Sequence, residues 1–233
     1  IFWEDHYFRM MASMRMLRME IPLEYTLEFL ETEILKTVAN ASESRVRITI
    51  TRKDGGMYLP DTNEVDYLIE ARPHAVAIKE NYEIGLYKDF YNFSGMLSTI
   101  KTTNRMLNTL ASIYMQENDM DNCVLINERK GVVEATNANI FIVTGSVIKT
   151  PALTDGCIKG IVRKHVIDLL TSHEEYSIEV SVISPIEIQK ADEVFLTNSI
   201  VGIQPVTKYK KKVFPTEIGN KLAKSLTVKM ITS

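Results

Sequence analysis

Gly131-Val-Val-Glu-Ala-Thr-Asn-Ala-Asn-Ile-Phe-Ile-Val143 holds one charge, Glu134, among apolar, hydroxyl and amide side chains. Residues 132–135 and 139–143 are rich in β-branched and aromatic residues, and the short polar stretch between them suits a turn, so two adjacent strands are expected. A carboxylate inside such a strand needs a partner, because an unpaired buried charge is costly. The partner is either an ordinary ion pair or turn cap, or the nitrogen of a ligand that must stay protonated.

Outward from this pair, short strands are expected at residues 123–127, 147–149, 178–183 and 193–197, with Arg129-Lys130-Gly131 and Gly145 at turns. Helices are expected over residues 102–118, 160–170, 186–190 and 215–230. Nearer the N-terminus, Phe8, Met11, Met14 or Met16, and Leu17 recur at helical spacing over residues 6–19, with Asp5 as N-cap. Pro22 is expected to open a second helix running to Val38. Arg45-Val-Arg-Ile-Thr-Ile-Thr-Arg52 alternates as a half-buried strand does, Gly55-Gly56 makes a turn, and strands are expected at 67–71 and 75–79. Residues 88–99 are irregular. The organisation expected is α+β (mixed α/β) in two domains: a small one over 1–88, a linker over 89–99, and a larger β-rich one over 100–233.

Bulk properties exclude several classes. The net charge of -3 gives no electrostatic footprint for nucleic acid. The one basic run, at 208–212, is expected to be a solvated hairpin turn between strands. No apolar run approaches the ~20 residues of a membrane span. Two cysteines, Cys123 and Cys157, are too few for a disulfide framework, and a cytoplasmic setting is expected. Histidines 6, 74, 165 and 173 are dispersed, so no metal is expected. The methionines at 10, 11, 14, 16 and 19 are expected to pack a helix.

Three further segments carry chemistry-bearing residue types. Lys101 lies in Ser98-Thr-Ile-Lys-Thr-Thr-Asn-Arg105, between the linker and a helix. On residue type alone such a lysine is more often a solvated charge, but burial and a neighbouring cation can also make a nucleophile of it. Gly160-Ile-Val-Arg163 opens a helix, whose first-turn N–H groups suit a phosphate, although a plain glycine at a loop–helix junction is commoner. Thr197-Asn-Ser199 ends a strand and offers hydroxyl and amide donors.

The order of these segments is more specific than any one of them. With Thr150-Pro-Ala-Leu153, Phe195-Leu-Thr-Asn-Ser-Ile-Val-Gly-Ile-Gln-Pro-Val206 and Glu4-Asp-His-Tyr-Phe-Arg-Met-Met-Ala-Ser13, the series resembles the fold type IV pyridoxal-phosphate (PLP) enzymes along essentially the whole chain. This class IV aminotransferase family includes branched-chain and D-amino-acid aminotransferases and aminodeoxychorismate lyase. The resemblance implies a D-amino-acid aminotransferase-like fold with PLP as cofactor and a homodimeric assembly. It makes Lys101 the Schiff-base lysine and Glu134 the partner of the pyridine nitrogen. Arg9 matches the arginine on the cofactor phosphate, the backbone of Ile161 and Val162 the phosphate-binding turn, and Ser199 the hydroxyl beside it. Asn139 matches an asparagine expected to be structural. The family's upstream strand pair is expected to lie outside this sequence, which begins at Ile1.

Two branches of the family remain open. Lys101-Thr-Thr-Asn-Arg105 and Thr197-Asn-Ser-Ile-Val-Gly202 look like the lyase, with Asn198 contacting substrate. Residues 90–100 hold no Arg or Lys, however, where some lyases place an arginine for a substrate carboxylate. The expectation is therefore amino transfer between an amino acid and a 2-oxo acid. The alternatives are a pyruvate-releasing lyase or a non-catalytic binding protein on the same fold.

Overall fold

A computed structural model describes residues 1–39, 43–75 and 77–232. The chain divides into two compact units, Phe2–Val76 and Ala77–Ser233. Residue 88, the boundary expected from sequence, falls inside the second unit, because the strand just before it is hydrogen-bonded there.

In the first unit, α1 spans Trp3–Met16. It starts before the expected residue 6: Phe2, at φ 51, turns the chain into the helix, and Asp5 lies in the first turn rather than at the cap. An acidic side chain there still suits the helix dipole. Helix α2 spans Leu27–Val38, later than the expected start at Pro22, because the Thr26 hydroxyl accepts the Phe29 N–H at 3.2 Å and defines the N-cap. Residues 22–25 instead form a turn closed by Tyr25 N–H to Pro22 O, 3.0 Å. Strands β1 (Ser44–Arg52) and β2 (Val65–Pro73) form an antiparallel pair in which Ile48 faces Ile69 and Ile50 faces Tyr67. Met11, Met14, Tyr25, Leu30 and Val65 form the buried centre of the unit. The methionine helix is thus packing, as its spacing implied.

In the second unit the first strand is β3 (Glu83–Leu86). The strand expected at 75–79 does not form at Ala75 or at 77–79; Val76 lies outside the described residues. There the Gln204 side chain does what a neighbouring strand would do, accepting from Lys79 N–H at 3.0 Å and donating to Lys79 O at 2.9 Å. Residues Met96–Thr99 form a 3-10 turn before α3 (Met106–Glu117). The strands β4 (Asn122–Ile126), β5 (Val132–Ala135), β6 (Asn139–Thr144) and β7 (Val147–Thr150) then fall close to where they were expected. They are followed by α4 (Ile161–Thr171), β8 (Ser177–Val180), α5 (Pro185–Lys190), β9 (Glu193–Asn198) and β10 (Gly202–Val206). Strands β11 (Lys208–Tyr209) and β12 (Lys212–Val213) precede α6 (Glu217–Thr232). The basic run is therefore itself a two-stranded hairpin, turning at Lys210 with φ 55.

The strands make two five-stranded sheets, β12-β11-β3-β4-β5 and β10-β9-β6-β7-β8. Ile84, Val124, Ile140, Ile142, Leu196 and Tyr209, from both sheets, share one buried cluster. The chain passes from the first sheet to the second between β5 and β6, through a turn closed by an Ala135–Ala138 bridge. Glu134 stands just before this crossing and Asn139 just after it.

Candidate active site

Every residue of β5 is buried, Glu134 included at 3% exposure. Its Oε2 accepts the Ile158 N–H at 2.8 Å. Among the described residues Oε1 accepts no hydrogen bond. Burial pushes the carboxyl up to about 7, against the pull of the Ile158 N–H and the positive charges of Arg105 and Lys101. A carboxylate so placed gains from a bound N–H cation and loses in its absence.

Lys101 is exposed, in the non-helical stretch between the 3-10 turn and α3. Helix α3 starts at Met106 rather than near residue 102, because residues 100–105 fold into a loop closed by Arg105, whose Nη2 donates to Ile100 O at 2.7 Å. The Lys159 N–H donates to Thr99 O at 3.0 Å, which joins the approach to Lys101 to the approach to α4.

The backbone of Ile158 is held on both sides of its Cα. While its N–H meets Glu134, its carbonyl accepts from Asn139 Nδ2 at 3.0 Å. Asn139 also explains Gly160: a Cβ there would lie 2.0 Å from Asn139 Oδ1. Gly160 is the N-cap of α4, and among the described residues no side chain caps it. The first-turn amides of Ile161 and Val162 thus have no side-chain cap from Gly160, while their side chains are buried at 5% and 1% exposure. Buried Arg163 donates from Nη2 to Pro151 O at 2.8 Å. Cys157, next to Ile158, is buried, and burial pushes its thiol up to about 12, so it stays protonated at neutral pH.

In the β6–β9 ladder Asn139 pairs with Thr197, which leads the segment 197–199 off the same end of the sheet. Thr197 itself is buried, so of this trio only Asn198 and Ser199 reach outward; Ser199 is exposed. The Asn198 Oδ1 accepts from the Ile200 and Val201 N–H groups, both at 2.9 Å, leaving Nδ2 as its donor. Arg9 lies on α1 in the other unit, one turn from His6, with 3.4 Å between Arg9 Nη2 and His6 Nδ1; burial lowers its pKa.

Within the second unit the fold thus gathers Glu134, Asn139 and the start of α4, with the Lys101 loop tied to the same segment. Arg105 and the Ile158 amide join them without having been singled out in the sequence. Arg105 was visible there as a cation at a helix mouth four residues after Lys101; a main-chain amide carries no signal of its own.

A buried acceptor for a ring N–H, a lysine whose charge reaches it and an uncapped helix N-terminus fit an anionic heteroaromatic cofactor such as PLP. The chain belongs to the class IV amino-transferase family, whose model matches residues 1–209. It is 28% identical over 211 residues to aminodeoxychorismate lyase of Vibrio harveyi, covering 88% of this chain and 76% of that one. It is 29% identical over 236 residues to a probable branched-chain-amino-acid aminotransferase of Aquifex aeolicus, covering 94% and 73%. The fold matches that of a branched-chain aminotransferase of Thermobaculum terrenum solved in its PLP form. Their TM-score is 0.86 at 22% identity, over 97% of this chain and 76% of that one.

Proposed function

We propose that this protein is a PLP-dependent aminotransferase that moves an amino group between an amino acid and a 2-oxo acid. The observation that carries this reading is Glu134: buried, anchored by the Ile158 amide, with Oε1 left to accept a hydrogen bond. PLP, when bound, supplies an electron-withdrawing ring that stabilises negative charge at the substrate α-carbon. Glu134 would accept the ring N–H and keep that nitrogen protonated, since an adjacent anion favours the cationic form. Lys101 would hold the cofactor, and its free amine would carry the proton to and from the substrate α-carbon. The Ile161 and Val162 amides and the Ser199 hydroxyl would bind the phosphate, and Asn198 Nδ2 would donate to the substrate. The substrates are small molecules. We further read the protein as a cytoplasmic homodimer; two free, buried cysteines suit a reducing compartment.

A pyruvate-releasing lyase acting on aminodeoxychorismate is the second reading, favoured by Lys101-Thr-Thr-Asn-Arg105, by Asn198 and by the Vibrio harveyi relative. The visible spectrum tests the common ground. Given PLP and then freed of unbound cofactor, wild type is expected to stay yellow and Lys101→Ala to lose the colour; a wild type left colourless sinks both readings. The branches separate on substrate. Amino acids with 2-oxoglutarate should exchange amino groups, whereas pyruvate from aminodeoxychorismate without any exchange would establish the lyase.

A further inference from the structure

Asn108 is the third residue of α3, half-buried, and its Nδ2 donates to Thr136 O at 2.7 Å. That carbonyl belongs to the β5–β6 crossing, two residues past Glu134. Thr136 is itself held firmly. Its N–H is shared between Cys123 O at 3.0 Å and Asn122 Oδ1 at 3.1 Å, and its hydroxyl donates to the same Oδ1 at 2.7 Å. Asn122, buried on β4, also donates from Nδ2 to Asn137 Oδ1 at 2.9 Å and to the Tyr82 hydroxyl at 3.1 Å. The crossing is therefore anchored to β4 independently of α3, and the Thr136 carbonyl it offers to that helix is a fixed point.

Four hydrogen bonds then run in a circuit. Glu134 accepts the Ile158 amide, and the next amide, Lys159, donates to Thr99 O at 3.0 Å. Arg105 closes the Lys101 loop onto Ile100 O, and Asn108, three residues on, returns to the crossing beside Glu134. We infer that Asn108 is a positioning residue: its bond to Thr136 O closes this circuit and locates the start of α3, and with it the Lys101 loop, against the segment that carries Glu134. The helix by itself does not call for asparagine, since alanine has the higher propensity and an acidic side chain in the first turn suits the dipole better. The side-chain N–H is what asparagine adds.

The inference deepens the PLP reading and rests on it for its purpose, because a rigid ring held by Lys101 and Glu134 together requires a set separation between them. Its first test does not need the cofactor. Amide hydrogen exchange, resolved residue by residue by NMR, is compared in wild-type apoprotein, Asn108→Asp and Asn108→Ala. Asn108→Asp keeps the size, removes the donor and sets a carboxylate oxygen against the Thr136 carbonyl; Asn108→Ala removes the contact. The Lys159 amide reports the Lys101 side of the circuit and the Ile158 amide the Glu134 side. Exchange at Lys159 should quicken about fivefold or more in both variants, the equivalent of one lost hydrogen bond, while Ile158 stays within about twofold of wild type. Unmoved exchange at Lys159 overturns the inference, since a role confined to α3 gives that result. Equal quickening at both amides overturns it too, since a general loss of stability gives that one. If Asn108→Asp folds poorly, Asn108→Ala decides alone. In enzyme loaded with PLP, Asn108→Asp should lower kcat about tenfold and leave KM for the amino donor within about twofold, and an unchanged kcat overturns the purpose assigned to the circuit. A wild type left colourless by PLP strikes the cofactor reading and leaves the exchange test standing.

Discussion

Glu134 and Ile158, 24 positions apart, are joined by a 2.8 Å hydrogen bond from the Ile158 amide to the buried carboxylate. One N–H is little compensation for a carboxylate removed from water, so the site is built at a cost that a bound cation relieves.

That cost has a pH signature. Glu134 has a folded-state pKa near 7 against an ordinary 4.5. A carboxyl raised in this way favours folding below its unfolded value, and the contribution is lost as pH rises through the folded one. Apoprotein should therefore become less stable between pH ~4.5 and ~7.5, by at most about 3 kcal/mol from this group. Glu134→Gln should remove that slope and be the more stable apoprotein at pH 8, read as the difference in urea midpoints at pH 5 and 8. A difference that does not vary with pH would contradict the raised value.

In the loaded enzyme the same change should act in the opposite sense. Glu134→Gln should keep the yellow colour but lower kcat by about a hundredfold or more, as removal of one well-placed electrostatic partner does. Steady-state rates beside the visible spectrum check it, and an unchanged kcat would deny Glu134 its role at the ring nitrogen.

Lys101 is exposed, so its removal should cost chemistry without costing the fold. In Lys101→Ala the midpoint of unfolding should shift by no more than about 0.5 kcal/mol while turnover disappears. Denaturation and activity measured on one preparation make the comparison.

Gly160→Ala should push its new methyl into Asn139 Oδ1, 2.0 Å away, and dislodge the amide from the Ile158 carbonyl. We expect about 1–3 kcal/mol of lost stability, as for a buried hydrogen bond left half-made. The cost should be smaller on an Asn139→Ala background, because both changes act on one contact. A double-mutant cycle by urea unfolding measures the coupling; strict additivity would refute it.

Much of this was legible in the sequence because it was local. The β5–β6 pair showed itself as β-branched residues around a polar turn, and most helices followed their apolar period. The start of α2 moved from Pro22 to Leu27 because Thr26 supplies a better cap, a competition that spacing alone does not rank. The strand expected at 75–79 was lost to Gln204, 125 positions from Lys79, whose amide meets the backbone that a neighbouring strand would otherwise pair. At the site, Lys101 and Glu134 were marked by the order of motifs around them. The Ile158 clasp was not, because its working atoms belong to the main chain, and the Arg105 contact was not, because it runs back to a carbonyl five positions earlier.

The crossing from β5 to β6 works as a gauge. Glu134 and Asn139 stand at its two ends and grip the N–H and C=O of the same residue, Ile158, so the chain length between them is matched to the span of one residue's backbone. An insertion at the Gly145 turn, where an added Cβ would meet nothing within 4 Å, can be absorbed by bulging into solvent. One extra residue in 135–138 would instead have to fit between two contacts on Ile158, within a turn closed by the Ala135–Ala138 bridge. It would tip either the carboxylate or the helix start out of alignment, so natural or designed variants of this site should hold that span to its present length.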